Sequence, residues 1–177
     1  AGHDVQLVDA IAEGIDVEQF LATAVSTDPA VILIETSTPS IQFDLSLSRE
    51  LKARIPGAQL ALCGPHVSAL PAQTLEDAPQ VDLVLMGEYE YTLRDLVACL
   101  ESSGDLGQVL GLAWRTPQGT VQVNPRRPLI QNLDELPWPA RHLLPMRNYR
   151  DSFAGLPMPS LQIWASRGCP YRCIFCV

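Results

Sequence analysis

The sequence predicts an α/β fold built on a doubly wound parallel sheet, and three observations support this prediction. Strand-like and helix-like segments alternate through the first part of the chain, the order that builds a parallel sheet with helices on both faces. The run from Ala30 to Glu35 is almost wholly apolar, as expected of a strand covered on both faces. With 177 residues, 47% of them hydrophobic, the chain can bury a core without disulfide bonds.

The first elements are predicted from apolar spacing and turn residues. Apolar residues between positions 5 and 9 predict a strand, and the helix that follows at 17–26 places its apolar residues on one face. After the apolar strand at 30–35, Ser40 is expected to cap a helix that Pro56-Gly57 ends. In chain order, the predicted elements to this point are strand 5–9, helix 17–26, strand 30–35 and helix 41–55.

The later elements continue the alternation and then change character. Apolar runs predict two more strands, each followed by a helix, and Thr116-Pro117-Gln118-Gly119 between two short runs predicts a β-hairpin. Beyond the hairpin, a proline-rich stretch leads to one more strand that ends just before a cysteine cluster. The predicted strands here span residues 59–63, 81–86, 110–115, 120–124 and 161–165, and the helices span 72–77 and 91–101.

Proline content and charge divide the chain. Residues 1–116 hold 6 of the 15 prolines and carry a net charge of −12, whereas the last 61 residues hold 9 prolines and carry +4. Such shifts mark linkers. We therefore predict a sheet domain over residues 1–106, a hairpin and linker over 107–159, and the start of another domain at 160–177. The first strand and helix of the sheet domain are expected upstream of residue 1.

Polar and glycine residues follow three of the predicted strands. In open parallel sheets ligands bind beyond the carboxyl ends of the strands, so these loops form the candidate site. Each loop also has a plain structural explanation: hydroxyls cap helices, a lone histidine is often a loop residue, and acids at a helix start offset its dipole. No glycine-rich dinucleotide or phosphate loop is present. The candidate residues are Thr36, Ser37 and Thr38, then Gly64, Pro65 and His66, then Gly87 and Glu88.

Three of the five cysteines lie within eight residues, at Cys169, Cys173 and Cys176. Clustered thiolates are the usual ligands of iron–sulfur clusters, and three rather than four ligands would leave one iron open. A zinc site completed by a distant fourth ligand is the alternative, although zinc sites usually show two cysteine pairs. The spacing favours iron–sulfur, and a cluster rather than disulfides indicates a cytoplasmic protein.

The sequence resembles a known family at five places. The Cys169–Cys176 segment, preceded by Ser166-Arg167-Gly168, is similar to the cluster-binding loop of radical S-adenosylmethionine (SAM) enzymes. The upstream region resembles the Rossmann-like, flavodoxin-like cobalamin-binding domain that precedes the TIM-like radical SAM barrel in one subgroup. The resembling upstream segments are Ala1-Gly2-His3-Asp4-Val5, Cys63-Gly64-Pro65-His66, Gly87-Glu88-Tyr89-Glu90 and Leu133-Asp134-Glu135-Leu136-Pro137.

The resemblance implies three cofactors. A 4Fe-4S cluster would sit on Cys169, Cys173 and Cys176 with SAM on its fourth iron, and Phe175 would lie near the SAM adenine. Cobalamin would lie over the eight strand-end residues named above. Reductive cleavage of SAM would give a 5′-deoxyadenosyl radical, followed by methyl transfer, cyclisation or rearrangement at an unactivated carbon. Two family glycines are replaced here, one by Cys63 and one by Tyr89.

The resemblance also implies partners and limits. It implies a small-molecule substrate and a reductant such as flavodoxin or ferredoxin. The net charge of −8 argues against a nucleic-acid partner, and no apolar run has the length of a membrane span. Because a barrel of this kind needs on the order of 200 residues, residues 1–177 alone are expected to be inactive. Two alternatives remain: a radical SAM enzyme whose first domain has lost cobalamin, and a non-enzymatic, zinc-stapled binding domain.

Overall fold

The computed structural model describes residues 2–149 together with residues 163, 166–169, 171, 173 and 174. It divides after Thr23 and again after Gln131 into two compact units. The predicted strand at 161–165 lies outside the described residues, apart from Ile163. The described helices are α1 Ala10–Glu13, α2 Val17–Thr27, α3 Ile41–Arg54, α4 Pro65–Ala69, α5 Pro71–Asp77 and α6 Glu90–Glu101, and the strands are β1 Val31–Glu35, β2 Gln59–Cys63, β3 Leu83–Leu85, β4 Leu112–Arg115 and β5 Val121–Val123.

The second unit is built on one open five-stranded sheet in the order β1-β2-β3-β4-β5. The pairs β1–β2 and β2–β3 are parallel, whereas β4 pairs antiparallel with β3 and β5 antiparallel with β4. The prediction of an α/β sheet domain is therefore confirmed, and the predicted hairpin extends the same sheet. A hairpin can add to an edge in this way because antiparallel strands need only a tight turn between them.

The core of this unit lies on the inner strands of the sheet and on α6. Cys63, Leu85 and Leu96 are at most 1% exposed, and Leu112 from the hairpin is fully buried beside them. At the amino ends of the strands, Lys52 of α3 donates to the Asp82 carboxylate at 2.7 Å, and the Leu60 amide donates to the same oxygen at 2.8 Å. These bonds join α3, β2 and the residue before β3. The register of the parallel pairs places the last residues of β1, β2 and β3 level with one another at the carboxyl ends of the strands.

Two predictions about local structure are wrong. Residues 5–9 form no strand, and Val5 and Leu7 are 63% and 47% exposed. None of the described strands pairs with them, and a strand forms only where a neighbouring strand takes up its backbone hydrogen bonds. Ser40 precedes α3 as predicted, but it makes no side-chain cap bond to the helix, because its hydroxyl accepts from the Ser37 amide instead. The sequence pattern also missed the short helix α4.

The first unit contains a hydrogen bond between its two chain segments. Asp9 caps α1 by accepting from the Ala12 amide at 3.0 Å, and its second oxygen accepts from the Tyr149 hydroxyl at 2.6 Å. The hydrogen bond to Tyr149 is the largest cause that lowers the pKa of Asp9. The same bond raises the pKa of Tyr149 to about 12, because ionising the phenol would place two negative charges together.

We expect Tyr149 to remain protonated at about pH 10.5, where an ordinary tyrosine is mostly ionised. Because the folded pKa is raised, the contribution of this bond to stability is complete below pH 10 and is lost as the pH rises towards 12. The measurement is phenolate absorbance, taken as the difference between the wild type and Tyr149→Phe. In Asp9→Ala the Tyr149 signal should return to an ordinary tyrosine titration, and an unchanged titration in that variant would contradict the assignment.

Candidate functional site

The candidate site lies at the carboxyl edge of the parallel strands. Glu35, the last residue of β1, is in register with Cys63, the last residue of β2, and β3 ends beside them. The loops that leave these three strands therefore begin next to one another. The three loops hold all eight residues that the sequence analysis proposed for this edge.

Gly64 brings the first two loops into direct contact. It has φ 108° and ψ 178°, a conformation open in practice only to glycine. A Cβ atom on this residue would stand 2.1 Å from the Thr36 carbonyl oxygen. The Thr36 amide also donates to the Cys63 carbonyl at 2.9 Å, so the two backbones run side by side. Glycine is required at position 64 by the packing of the loops themselves.

The hydroxyls of the first loop have different surroundings. Thr36 is 2% exposed, and its hydroxyl donates to the Asp44 carboxylate of α3 at 2.5 Å. The Ser37 hydroxyl lies 3.0 Å from that of Ser40. Thr38 is exposed. Of the three predicted hydroxyls, Thr36 holds the loop on α3, Ser37 shapes the turn, and Thr38 faces the surface of the edge.

Thr38 and His66 meet across the first two loops. The His66 Nδ1 atom lies 3.2 Å from the Thr38 hydroxyl oxygen, and His66 is half-buried at the start of α4. Pro65 begins that helix, where its missing N–H costs nothing. These two side chains give the edge a hydroxyl and an imidazole side by side, both suited to hydrogen-bond a polar ligand.

Ser68 links the second and third loops and was not predicted. Its hydroxyl donates to the Gly64 carbonyl at 2.7 Å and accepts from the Gly87 amide at 2.9 Å. The available signal was a serine four residues after Gly64, where a helical serine bonds back to the carbonyl of the preceding turn. Gly87 has φ 70°, and no atom of the described residues lies within 4 Å of where its Cβ would be, so this part of the chain lets a ligand approach the backbone there.

The side chain of Glu88, which the sequence analysis proposed as a ligand residue, is hydrogen-bonded to another segment of the protein. Its carboxylate accepts the amide of Ile130 at 2.7 Å and is half-buried. The structure thus brings together the backbone of all three loops with Thr38 and His66, while the side chains of Thr36 and Glu88 are held by protein partners. The binding role of all eight residues remains a prediction.

Cys63 and Tyr89, the two residues that the resemblance expects to be glycines, are neighbours in space. The Tyr89 side chain packs against the buried cluster that contains Cys63. Burial raises the pKa of the Cys63 thiol to about 12, and the Glu35 carboxylate adds to this, while a hydrogen bond with Tyr89 acts in the opposite direction. Burial, followed by the charges of Cys63 and Glu35, also raises the pKa of Tyr89. The Tyr89 side chain and the Cys63 thiol therefore lie in contact with each other at the end of β2.

We expect Cys63 to resist alkylation in the native protein. It is 1% exposed and its pKa is about 12, so almost no reactive thiolate is present near pH 8. The exposed Cys169 and Cys173 should react with iodoacetamide within minutes in metal-free protein. Peptide mass spectrometry measures both, with protein unfolded in urea as the control in which Cys63 reacts fully. Modification of native Cys63 as fast as Cys173 would contradict the burial of this thiol.

The cysteine motif is described in part. Cys169 and Cys173 are exposed, whereas Phe175 and Cys176 lie outside the described residues. The residues described here contain no group of three or more histidine, cysteine or acidic side chains that could hold a metal ion. None of the described helices has the length and apolar character to cross a membrane. The iron–sulfur prediction therefore rests on the spacing of the cysteines in the sequence.

The family of the chain follows from residues 1–97, which include all three strand-end loops. This range matches the B12-binding domain family. The chain belongs to that family. The B12-binding domain therefore accounts for the parallel strands and for the polar carboxyl edge, and the predicted resemblance on this region is confirmed.

Curated relatives match nearly the whole chain. An uncharacterized methyltransferase of Pyrococcus horikoshii is 34% identical over 174 residues, 98% of this chain and 37% of the relative. An anaerobic magnesium-protoporphyrin IX monomethyl ester cyclase of a Synechocystis species is 31% identical over 180 residues, 99% of this chain and 35% of the relative. The chain thus spans little more than a third of the length of these relatives.

A solved structure supports the fold. The cobalamin-dependent SAM radical enzyme OxsB, with aqua-cobalamin and SAM bound, superposes with a TM-score of 0.63 at 22% identity. The match covers 71% of this chain and 18% of OxsB. At this identity the likeness supports the fold alone, and it agrees with the predicted Rossmann-like fold class.

Proposed function

We propose that this chain is part of a cobalamin-dependent radical SAM enzyme that acts on a small molecule. The observation that carries the proposal is the junction of three strand-end loops at one edge of a B12-binding domain, in a chain that also contains Cys169-x-x-x-Cys173-x-x-Cys176. The matched relatives named as a methyltransferase and as a cyclase support methyl transfer or cyclisation as the reaction.

The strand-end residues fit a corrinoid in chemical character. Gly87 leaves open space among the described residues where a side chain would be, and Thr38 and His66 on the other two loops offer a hydroxyl and an imidazole. A corrinoid carries amide side chains, which such groups can bind by hydrogen bonds. In our proposal the backbone of Gly64 and Gly87 allows close approach, Thr38 and His66 orient the ligand, and Thr36 and Ser68 hold the loops that present them.

The cysteine motif supplies thiolates of the kind that hold iron–sulfur clusters. In the proposed enzyme, Cys169, Cys173 and Cys176 hold a 4Fe-4S cluster and Phe175 lies against the SAM adenine. Bound together, these cofactors supply reductive SAM cleavage and radical chemistry at an unactivated carbon, with electrons from a flavodoxin or ferredoxin. We place the enzyme in the cytoplasm, where the thiols stay reduced.

Metal and corrinoid analysis tests this function. The full-length protein, purified anaerobically from cells supplied with cobalamin, should contain about four irons and one cobalt per chain. Iron without cobalt would favour the second candidate, a radical SAM enzyme with a spacer domain, for which the replacements at Cys63 and Tyr89 are the supporting observation. Zinc without iron would overturn both and leave a zinc-stapled binding domain.

A variant pair tests the site itself. His66→Ala should weaken hydroxocobalamin binding about tenfold, equivalent to about 1.4 kcal/mol, because the ligand loses one oriented hydrogen bond. His142→Ala is the matched control, since His142 is exposed and lies outside the strand-end loops. Binding is measured by the change in the corrinoid absorbance spectrum. Equal hydroxocobalamin affinity in the two variants would show that His66 does not contribute to cobalamin binding.

A further inference from the structure

The segment Asn124–Gln131, which we call the linker strap, crosses the second unit after β5. Its start is tied to the sheet by backbone bonds, from the Asn124 amide to the Leu112 carbonyl at 2.9 Å and from the Gly111 amide to the Pro125 carbonyl at 2.8 Å. The Asn124 side chain donates to the carbonyls of Leu106 and Val109 at 2.7 and 2.9 Å. The start of the strap is therefore held by hydrogen bonds to β4 and to the segment just before it.

The middle of the strap is held by Arg127. Its side chain is 15% exposed and forms an ion pair of 2.5 Å with Asp95 of α6. Its Nε donates to the hydroxyl of the fully buried Thr92 at 3.1 Å, one turn earlier in the same helix. Hydrogen bonds to charged groups at partly buried positions are among the stronger ones in proteins. The middle of the strap is thus attached to the first half of α6.

Two further contacts connect the strap with the strand-end loops. Arg126 donates to the Ser68 carbonyl at 2.7 Å, and the Ser68 hydroxyl in turn bridges Gly64 and Gly87. The Ile130 amide donates to the Glu88 carboxylate at 2.7 Å. A carboxylate that accepts a backbone N–H is fixed in direction, so Glu88 holds the strap and the third loop at one distance.

We propose that Glu88 is a positioning residue: it latches the Gly87–Tyr89 loop to the linker strap, so that cobalamin binding at the strand-end loops and ordering of the strap favour each other. This inference rests on the proposed function for its ligand and assigns Glu88 a role different from direct contact. Coupling between sites is reciprocal. A ligand that orders the loop therefore also orders the strap, and release of the strap lowers the affinity for the ligand by the same factor. The strap leads along the chain into the linker that precedes the cysteines.

Two variants break the latch from opposite sides. Glu88→Ala removes the acceptor, and Ile130→Pro removes the donor without touching Glu88. The matched controls are Glu76→Ala, an exposed acid on α5, and Leu129→Pro, one residue earlier in the strap, where the described part of the chain shows no hydrogen bond from the amide. Hydrogen–deuterium exchange of peptides covering residues 124–131 reports the strap, and hydroxocobalamin titration reports the ligand.

Without ligand, Glu88→Ala should raise exchange at Ile130 at least about tenfold, because the amide loses its acceptor, while Glu76→Ala leaves it unchanged. With hydroxocobalamin, the wild-type strap should exchange more slowly than without it. Both latch variants should lose this protection and should weaken binding by the same factor, roughly tenfold, whereas Leu129→Pro should retain both.

Each other outcome contradicts a separate part of the inference. Unchanged exchange at Ile130 in ligand-free Glu88→Ala would overturn the latch. An affinity loss in Glu88→Ala that Ile130→Pro does not reproduce would show that Glu88 binds the ligand directly. A wild-type strap that exchanges equally with and without bound hydroxocobalamin would overturn the coupling. Absence of hydroxocobalamin binding by the wild type would overturn the proposed function instead, and the ligand-free comparison would still decide whether the latch exists.

Discussion

Replacing Gly64 with alanine is expected to lower the free energy of unfolding by about 3 kcal/mol and to abolish hydroxocobalamin binding. Two effects act together at this position. The residue has φ 108° and ψ 178°, which side-chain-bearing residues avoid, and the new Cβ would stand 2.1 Å from the Thr36 carbonyl oxygen. Because that atom belongs to the backbone, no rotamer change relieves the clash. The first two loops must move apart, and the candidate site moves with them.

Two other glycines separate these effects. Gly87→Ala places a side chain at the positive φ of 70° without a clash with any described atom, and it should lower the free energy of unfolding by only about 1 kcal/mol. Gly57→Ala meets neither the positive φ nor a clash with described residues, and it should leave the free energy of unfolding nearly unchanged. Urea denaturation of the 177-residue chain gives the three free energies of unfolding, and absorbance titration gives the affinities. Equal costs for Gly64→Ala and Gly87→Ala would show that the clash with Thr36 is relieved without energy and would contradict the close contact of the loops.

Replacing any one of Cys169, Cys173 and Cys176 with serine should reduce the iron content of the full-length protein from about four atoms per chain to below one. A cluster with three protein thiolates has no spare ligand, and a serine hydroxyl is not deprotonated at neutral pH. The measurement is iron analysis after anaerobic reconstitution, together with the charge-transfer absorbance of the cluster. SAM cleavage under reducing conditions should fall to background in the same variants.

The chain provides its own control for this prediction. Cys99→Ser changes a half-buried cysteine of α6 that packs against the core, and it should leave the iron content unchanged. Cobalamin binding should also be unchanged in all four variants, because the proposed corrinoid site lies in the strand-end loops of the B12-binding domain, which contain none of these cysteines. Full iron content in Cys173→Ser would mean that the ligands lie elsewhere and would contradict the proposed cluster.

Local sequence patterns predicted the frame of the fold well. The strand at 59–63 was predicted with the observed bounds, and α3 and α6 differ from their predicted ranges by one residue at an end. These elements could be predicted because their apolar residues lie close together in the chain: β2 is almost wholly buried, and each helix buries one face. The predicted strand at 5–9 failed for the complementary reason, since a strand forms only when a neighbour accepts its backbone hydrogen bonds.

The sequence alone determined the class of fold, the three polar loops and the cysteine motif, because each depends on residues close together in the chain. Only the tertiary structure decided how those residues are used. It turned the Thr36 hydroxyl towards Asp44, paired Thr38 with His66, and brought Ile130 to Glu88 across 42 positions of sequence. Such pairings depend on which loops the parallel strands place side by side, and that register is set by packing between elements distant in the chain.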